Sequence, residues 1–152
     1  MDFLKIEKVK NISSIGGGPI GGGWTAFFLS KGYNVTSYLH HPKEKEMFMK
    51  IVNTAWKSLK KLGLAKNASL NNLSVMYDLK KSLEGSHFVQ ESAPEKLELK
   101  QDLYYEMGEI LPKNIIISSS TSGFMMSDIQ KKCNSPERLS LIHISEPTRL
   151  SG

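Results

Sequence analysis

A cluster of glycines near the amino terminus has the residue types and the spacing to hold a phosphate group. Residues 13–24 read Ser-Ser-Ile-Gly-Gly-Gly-Pro-Ile-Gly-Gly-Gly-Trp, and Gly16, Gly18 and Gly21 fit the pattern G-x-G-x-x-G. In this pattern the first glycine allows a tight turn after a strand, the second lets the backbone approach a pyrophosphate, and the third lets a helix pack closely. The cluster therefore predicts a dinucleotide site.

The neighbouring residues complete this predicted cofactor-binding loop. Gly17, Pro19 and Ile20 lie between the framework glycines, and proline suits the first turn of a helix. Backbone N–H groups at a helix start have no partner within the helix and lie at the positive end of its dipole, so they stabilise a diphosphate. A flexible glycine loop without a ligand is the alternative. Ile15 before the cluster and the apolar residues 24–29 after it favour the nucleotide loop.

The elements that must position this loop are predicted from the alternation of apolar segments and turn residues. A strand over 9–15, a helix over 20–30 that stops at Gly32, and a strand over 34–39 make a βαβ unit. Further helices are predicted over 43–62, 78–84 (capped by Asp78) and 96–110, and further strands over 73–77, 87–92 and 115–118. This alternation predicts an α/β protein with a Rossmann-type, doubly wound and mostly parallel sheet, in which ligands bind beyond the carboxyl ends of the strands.

Two of the predicted helices contribute core residues at helical spacing. The expected buried positions are Phe48, Ile51, Val52, Ala55, Trp56, Leu59 and Leu62 in one helix, and Leu97, Leu99, Leu103, Tyr104, Met107 and Ile110 in the other.

The composition fits one domain of a cytoplasmic protein with a small-molecule substrate. The chain has 152 residues, 39% of them hydrophobic and 23% charged, with a net charge of +5. Lysines spread over 43–66 indicate a solvated face, and because no basic cluster interleaves with aromatic residues we expect no nucleic-acid partner. We expect no membrane partner, since no apolar stretch is long enough to span a bilayer and the first residues lack a signal-peptide core.

Metal binding and disulfides are not expected. Cys133 is the only cysteine in the sequence, so it cannot form an internal disulfide. The pair His40 and His41 has no carboxylate or cysteine directly beside it, and we interpret it as a surface turn rather than a metal site.

The order of these segments resembles the NAD-binding domain of the 3-hydroxyacyl-CoA dehydrogenase superfamily, over about residues 9–138. Two stretches are similar to its L-carnitine 3-dehydrogenase branch: residues 88–100, Phe-Val-Gln-Glu-Ser-Ala-Pro-Glu-Lys-Leu-Glu-Leu-Lys, and Ala55-Trp56 with Leu-Gly-Leu-Ala at 62–65. The resemblance implies NAD as cofactor and oxidation of the 3-hydroxyl of a small, carnitine-like acid to a ketone. It also implies a second, mostly helical C-terminal domain, absent from this chain, and a homodimeric full-length enzyme.

The resemblance also implies roles for single residues. The loop Gly16 to Gly21 matches the pyrophosphate loop, and Glu95 and Lys100 match an acid and a lysine near the cofactor. Ser122 matches a catalytic serine beside the nicotinamide and the substrate hydroxyl. Without the resemblance, Glu95 and Lys100 would be read as a solvated turn and helix start, and Ser122 as an ordinary loop residue.

One position departs from the family pattern. An acid at the end of the second strand normally accepts hydrogen bonds from the adenosine ribose, but Leu39 stands there, followed by the two histidines. The choice between NAD and NADP is therefore open, since no arginine stands there to favour NADP either.

The last residues allow two interpretations. Residues 139–149 read Leu-Ser-Leu-Ile-His-Ile-Ser-Glu-Pro-Thr-Arg. His143 lies at the offset of the family's catalytic histidine, which favours a diverged active site. The same eleven residues are the in-frame translation of a transposon-end sequencing adapter, which is the more specific match. We therefore predict an NAD-binding Rossmann domain over 1–138 and a non-native tail over 139–152.

Either interpretation leaves the catalytic histidine without the glutamate that orients it. The chain is therefore expected to bind a dinucleotide weakly and not to oxidise substrate by itself. Two alternatives stay open: a 3-hydroxyacyl-CoA or L-gulonate 3-dehydrogenase-like enzyme, and a non-catalytic dinucleotide-binding module.

Overall fold

The computed structural model describes residues 3–121, 123–124, 126–133 and 136–141. The strands are β1 (Asn11–Ile15), β2 (Asn34–Tyr38), β3 (Leu73–Met76), β4 (Phe88–Glu91), β5 (Ile116–Ser119) and β6 (Leu139–Leu141). The α-helices are α1 (Pro19–Ser30), α2 (Lys45–Leu62), α3 (Leu79–Leu83), α4 (Leu97–Ile110) and α5 (Met126–Ile129). Short 3-10 turns cover Ile6–Lys8, Pro42–Glu44, Leu70–Asn72, Gln130–Lys132 and Pro136–Arg138.

The strands form one sheet in the order β3-β2-β1-β4-β5-β6, and every neighbouring pair is parallel. The order reverses between β1 and β4, which is the point where doubly wound sheets bind ligands. Ile15 pairs with Tyr38 on one side and with Glu91 on the other, so the carboxyl ends of β1, β2 and β4 meet at one edge. The predicted Rossmann-type sheet is confirmed.

Two clusters of buried side chains form the core. One contains residues of α1 and α2 together with Ile12, Val35 and Leu39. The other contains residues of α3, α4 and α5 together with Ile15 and Val89. Ile12 and Ile15 are three residues apart on β1, so their side chains point to opposite faces. Both faces of the sheet are therefore covered by helices, as a parallel sheet requires.

The serines of β1 are buried because helices and neighbouring strands supply their hydrogen-bond partners. Ser13 Oγ donates to the carbonyl of Ser82 at 2.6 Å and also contacts Ser86 Oγ. Thr25 of α1 donates to Ser14 Oγ at 3.0 Å and bonds Ser37 Oγ of β2 at 2.9 Å. A central strand can therefore carry two polar residues without leaving them unpaired.

The observed elements differ from the predicted ones at their ends and in part of the core. The predicted helix over 43–62 begins at Lys45, because His41 caps a separate turn over Pro42–Glu44. Leu62, the last residue of α2, is 85% exposed, and Leu99 is 43% exposed. The buried face of α4 consists of Lys100, Tyr104, Met107 and Gly108. Leu99 directly precedes Lys100, and it is Lys100 that lies on the buried face. The apolar pattern therefore predicted burial for the wrong one of two adjacent residues.

Arg138 joins the end of α4 to the segment before β6. Its buried guanidinium donates to the carbonyls of Gly108 (3.0 Å), Leu111 (3.3 Å) and Pro112 (2.6 Å). β6 then pairs with β5, Leu139 opposite Ile117. The predicted domain boundary after residue 138 falls directly before this strand. Because strand pairing uses backbone groups, it does not depend on the origin of residues 139–152, and that origin stays a prediction.

Within the described ranges, every helix is too short or too polar to span a lipid bilayer.

Candidate coenzyme site

The glycine turn lies at the carboxyl edge of the sheet, directly after β1. Gly16 has a φ of 124°, a conformation that residues with a side chain rarely adopt. Its N–H donates to the carbonyl of Tyr38 at 3.1 Å, and a Cβ added to it would lie 2.5 Å from the carbonyl oxygen of Ser92. The turn therefore fits between the ends of β2 and β4 only with glycine at this position.

Gly18 and Gly21 differ in what surrounds them. A Cβ on Gly21 would collide with the carbonyl oxygen of Gly16, so this glycine lets α1 start close to the turn. Gly18 is the N-cap of α1, with φ −81° and ψ −172°, and a Cβ added there would meet no atom within 4 Å. Open space therefore adjoins the N-terminus of α1, where backbone N–H groups without a helical partner favour an anion.

The end of β4 carries a buried carboxylate that the sequence analysis did not single out. Glu91 is fully buried and accepts hydrogen bonds from Lys100 Nζ (2.6 Å), Tyr104 Oη (2.8 Å), Ser119 Oγ (2.6 Å) and the Ala93 N–H (2.7 Å). Burial, and then the charge of Glu91, raise the pKa of Tyr104 well above its usual value. An acid ending an apolar strand, with a lysine nine residues later, is the signal that could have indicated this pair.

The structure brings the predicted residues Glu95 and Lys100 together. Lys100 is completely buried, so the reading of it as a solvated helix start is wrong. Its ammonium contacts Glu91 at 2.6 Å, the Ala93 carbonyl at 3.0 Å and Glu95 Oε1 at 3.2 Å. These three partners match the three donors of an ammonium group.

Glu95 connects this ion pair to the loop after β5. Its Oε2 accepts from Thr121 Oγ1 at 2.7 Å and from the Gly123 N–H at 3.1 Å. Partial burial opposes the charged form, but the hydrogen bonds from Thr121 and Lys100 outweigh it, and the pKa of Glu95 lies below its usual value. The side chain is 45% exposed, so Glu95 is the member of the network that reaches solvent.

The two predicted catalytic residues, Ser122 and His143, lie outside the described residues. The neighbours of Ser122 are described, and both Thr121 and Gly123 are bonded to Glu95. The glycine turn and this network are adjacent, since the Ser92 N–H donates to the carbonyl of Ile15 at 2.7 Å. The structure thus brings the predicted loop, Glu95 and Lys100 to one edge of the sheet.

Leu39 occupies the end of β2 as a core residue. It is fully buried and packs in the cluster that contains Phe48 and Val52. The two residues that follow, His40 and His41, are exposed, as predicted for a surface turn. No group of three or more histidine, cysteine, aspartate or glutamate side chains that could hold a metal occurs in the described part of the chain.

The sequence pattern of the family "3-hydroxyacyl-CoA dehydrogenase, NAD binding domain" matches residues 11–151. The chain belongs to this family. NAD is the coenzyme of the family's binding domain, which confirms the predicted cofactor. The match continues beyond residue 138 into the segment for which we predict a foreign origin.

Relatives and solved structures agree with this assignment. The L-carnitine dehydrogenase of Streptomyces coelicolor is 42% identical over 144 residues, covering 95% of this chain and 45% of that protein. The L-carnitine dehydrogenase of Pseudomonas putida is 35% identical over 145 residues, with the same coverage of 95% and 45%. The predicted resemblance to this branch is confirmed. The chain spans about half the length of these relatives.

Two solved structures share the fold. The crystal structure of 5-formyl-3-hydroxy-2-methylpyridine 4-carboxylic acid 5-dehydrogenase, an NAD⁺-dependent dismutase, has a TM-score of 0.81 at 27% identity and covers 91% of this chain and 45% of that one. The 3-hydroxybutyryl-CoA dehydrogenase of Escherichia coli has a TM-score of 0.79 at 24% identity, over 94% of this chain and 31% of that one.

Proposed function

We propose that this chain is the coenzyme-binding part of an NAD-dependent dehydrogenase that oxidises the 3-hydroxyl of L-carnitine to 3-dehydrocarnitine. The observation that carries the proposal is the open cradle at Gly18, at the helix start and next to the Glu91–Lys100–Glu95 network. The 42% identity to an L-carnitine dehydrogenase supports the substrate. We further propose that the whole enzyme is cytoplasmic and acts as a homodimer.

In this proposal the glycine turn holds the coenzyme. The residues that bind the diphosphate are Gly16, Gly17, Gly18, Pro19, Ile20 and Gly21. Pro19 has no N–H, and the Gly16 N–H donates to Tyr38, so these two shape the loop. The others act through backbone N–H groups fixed at the start of α1, which need no rearrangement to stabilise negative charge. The bound coenzyme supplies the acceptor for the hydride that leaves the substrate carbon.

Glu95 and Lys100 have different proposed roles. Glu95 is the member of the network that reaches solvent, and we place it next to the bound coenzyme. Lys100 has its three donors occupied by Glu91, Ala93 and Glu95. Lys100 therefore acts by holding the carboxylate of Glu95 in place. Glu95 in turn accepts hydrogen bonds from Thr121 and Gly123, the two residues that flank Ser122.

Ser122 and His143 remain proposed catalytic residues. Ser122 hydrogen-bonds the reacting oxygen, as its position after the strand β5 favours. His143 accepts the hydroxyl proton only if residues 139–152 are native. Sequencing the encoding DNA beyond codon 138 decides between a native active site and an adapter-derived tail.

Coenzyme titration of two glycine variants tests the proposal. Gly18→Val should stay folded with a small loss of stability, because φ −81° suits any residue and no atom lies within 4 Å of the new Cβ, while valine is a poorer N-cap than glycine. It should weaken NADH binding at least about tenfold, because valine fills the diphosphate cradle. Gly23→Val is the matched control, since Gly23 also has open space around its Cβ but lies inside α1. Unchanged NADH affinity in Gly18→Val would disprove the proposed site.

Two other functions remain candidates. A 3-hydroxyacyl-CoA or L-gulonate 3-dehydrogenase-like enzyme shares the fold and the hydride chemistry, and comparing kcat/KM of a full-length protein on L-carnitine, an acyl-CoA and L-gulonate separates the three. A non-catalytic dinucleotide-binding module is favoured by Leu39, which leaves the end of β2 without an acid. NADH binding without turnover by the full-length protein would support that module.

A further inference from the structure

The end of β2 lacks the carboxylate with which this type of site ordinarily holds the adenosine ribose. Leu39 follows β2, is completely buried and belongs to the core cluster beneath the glycine turn. A Cβ on Gly17 would lie 2.8 Å from Leu39 Cδ2, so the leucine packs directly against the turn. An aliphatic side chain there offers no acceptor for a ribose hydroxyl.

A different carboxylate lies beside the same turn. Glu44 Oε1 is 3.4 Å from the position that a Cβ on Gly17 would occupy. Glu44 ends the 3-10 turn over Pro42–Glu44, and its side chain is half-buried. The charge is therefore at the glycine turn although it comes five residues later than the usual acid.

The backbone holds this carboxylate in place. Glu44 Oε2 accepts from the His41 N–H at 2.7 Å, while His41 Nδ1 accepts from the Lys43 N–H at 3.1 Å. This reciprocal capping box fixes one oxygen of Glu44 at the end of β2. The other oxygen faces Gly17 and is the one placed to accept a ligand hydroxyl.

We propose that Glu44 replaces the missing strand-end acid, accepts hydrogen bonds from the ribose hydroxyls next to the adenine, and makes the chain selective for NADH over NADPH. This inference rests on the proposed coenzyme site. A carboxylate gains a charge-assisted hydrogen bond from a hydroxyl, whereas a 2′-phosphate places negative charge against it. The same group therefore attracts one coenzyme and repels the other.

The lysines next to Glu44 would favour the opposite coenzyme preference. Lys43 and Lys45 flank Glu44 and are exposed, so a 2′-phosphate that avoided the carboxylate could bind their ammonium groups instead. This arrangement would make NADPH the tighter ligand. The two coenzymes therefore distinguish an acceptor site from a basic one.

The test is calorimetric titration of the 152-residue chain with NADH and with NADPH. We expect wild type to bind NADH at least about tenfold more tightly than NADPH. Glu44→Gln keeps an oxygen that can accept from the His41 N–H but removes the charge. It should weaken NADH binding about tenfold, leave NADPH binding equal or tighter, and remove the preference. Glu46→Gln, an exposed acid two residues away, is the control and should change neither affinity.

The outcomes separate this inference from the proposed function. NADH binding that is lost in Gly18→Val but unchanged within twofold in Glu44→Gln overturns the role of Glu44 alone. Tighter binding of NADPH than NADH by wild type also overturns it. If wild type binds neither coenzyme at millimolar concentration, both the site and the role of Glu44 are wrong. Melting curves of each variant confirm that the protein tested is folded.

Discussion

The ends of β1 and β4 border the same site, but the first contributes backbone atoms and the second contributes side chains. At the end of β1, the glycine turn contributes only backbone, and its conformation is set by Gly16. At the end of β4, Glu91 and Lys100 form an ion pair that is completely buried. The first region is suited to an anion because backbone N–H groups at the start of α1 lack helical partners. The second can position residues because its charges are fully paired.

The largest expected effect is a loss of folding stability when the ion pair at the end of β4 is broken. Glu91→Ala leaves the ammonium of Lys100 buried with fewer partners, and removing one member of a buried ion pair costs about 3–5 kcal/mol. Urea unfolding should show this loss, which is a large part of the stability of a small domain. Glu46→Ala, which removes an exposed acid, should change stability little. A loss below about 1 kcal/mol in Glu91→Ala would show that the pair is not structurally important.

The next largest effect is a difference in stability between substitutions at two glycines of the turn after β1. Gly16→Ala places a side chain at φ 124° and against the Ser92 carbonyl, and we expect a loss of about 2–3 kcal/mol. A Cβ at Gly18 meets no atom within 4 Å, so Gly18→Ala should lose less than about 1 kcal/mol, the cost of a poorer N-cap. Thermal unfolding of the two variants side by side measures the contrast. Equal melting temperatures would mean that the turn tolerates a side chain at both positions.

The smallest effect concerns the exposed edge of the β4 network. Because the pKa of Glu95 is lower in the folded chain, its charged form contributes stability above its unfolded pKa, and this contribution is lost as pH falls through the folded value. Glu95→Gln should therefore lower the free energy of unfolding at pH 7 by less than about 1 kcal/mol, since water screens this side chain, and lower the melting temperature slightly. The difference from wild type should shrink as the pH is lowered through the folded pKa of Glu95. A difference that persists at low pH would point to packing instead of charge.

These two regions also show what sequence reasoning can reach. The glycine turn was predicted because a backbone motif carries its geometry in the spacing of Gly16, Gly18 and Gly21. The alternation of apolar segments predicted the sheet. Lys100 was identified as a site residue only through family resemblance. A lysine is almost never fully buried unless it is paired, and its pairing with Glu91, nine residues earlier, was not recognised from the sequence.

The role of Glu44 was missed for a related reason. The family pattern places the ribose acid directly after β2, where Leu39 stands in this chain. The turn over Pro42–Glu44 folds the chain back so that a later carboxylate reaches Gly17. The spacing of apolar residues predicts where a helix or strand lies. The direction in which a short turn folds back depends on its capping hydrogen bonds, which His41 makes here.

The hydroxyl groups of β1 restrict how the central strand can pair during folding. In the observed alignment Ser13 donates to Ser82 and Ser14 accepts from Thr25. A slip by one residue would turn each side chain of β1 to the opposite face and place one of the two hydroxyls at the aliphatic position that Ile12 or Ile15 occupies. Misaligned sheets are thus disfavoured, and the glycine turn that follows β1 emerges at the correct height beside its neighbours.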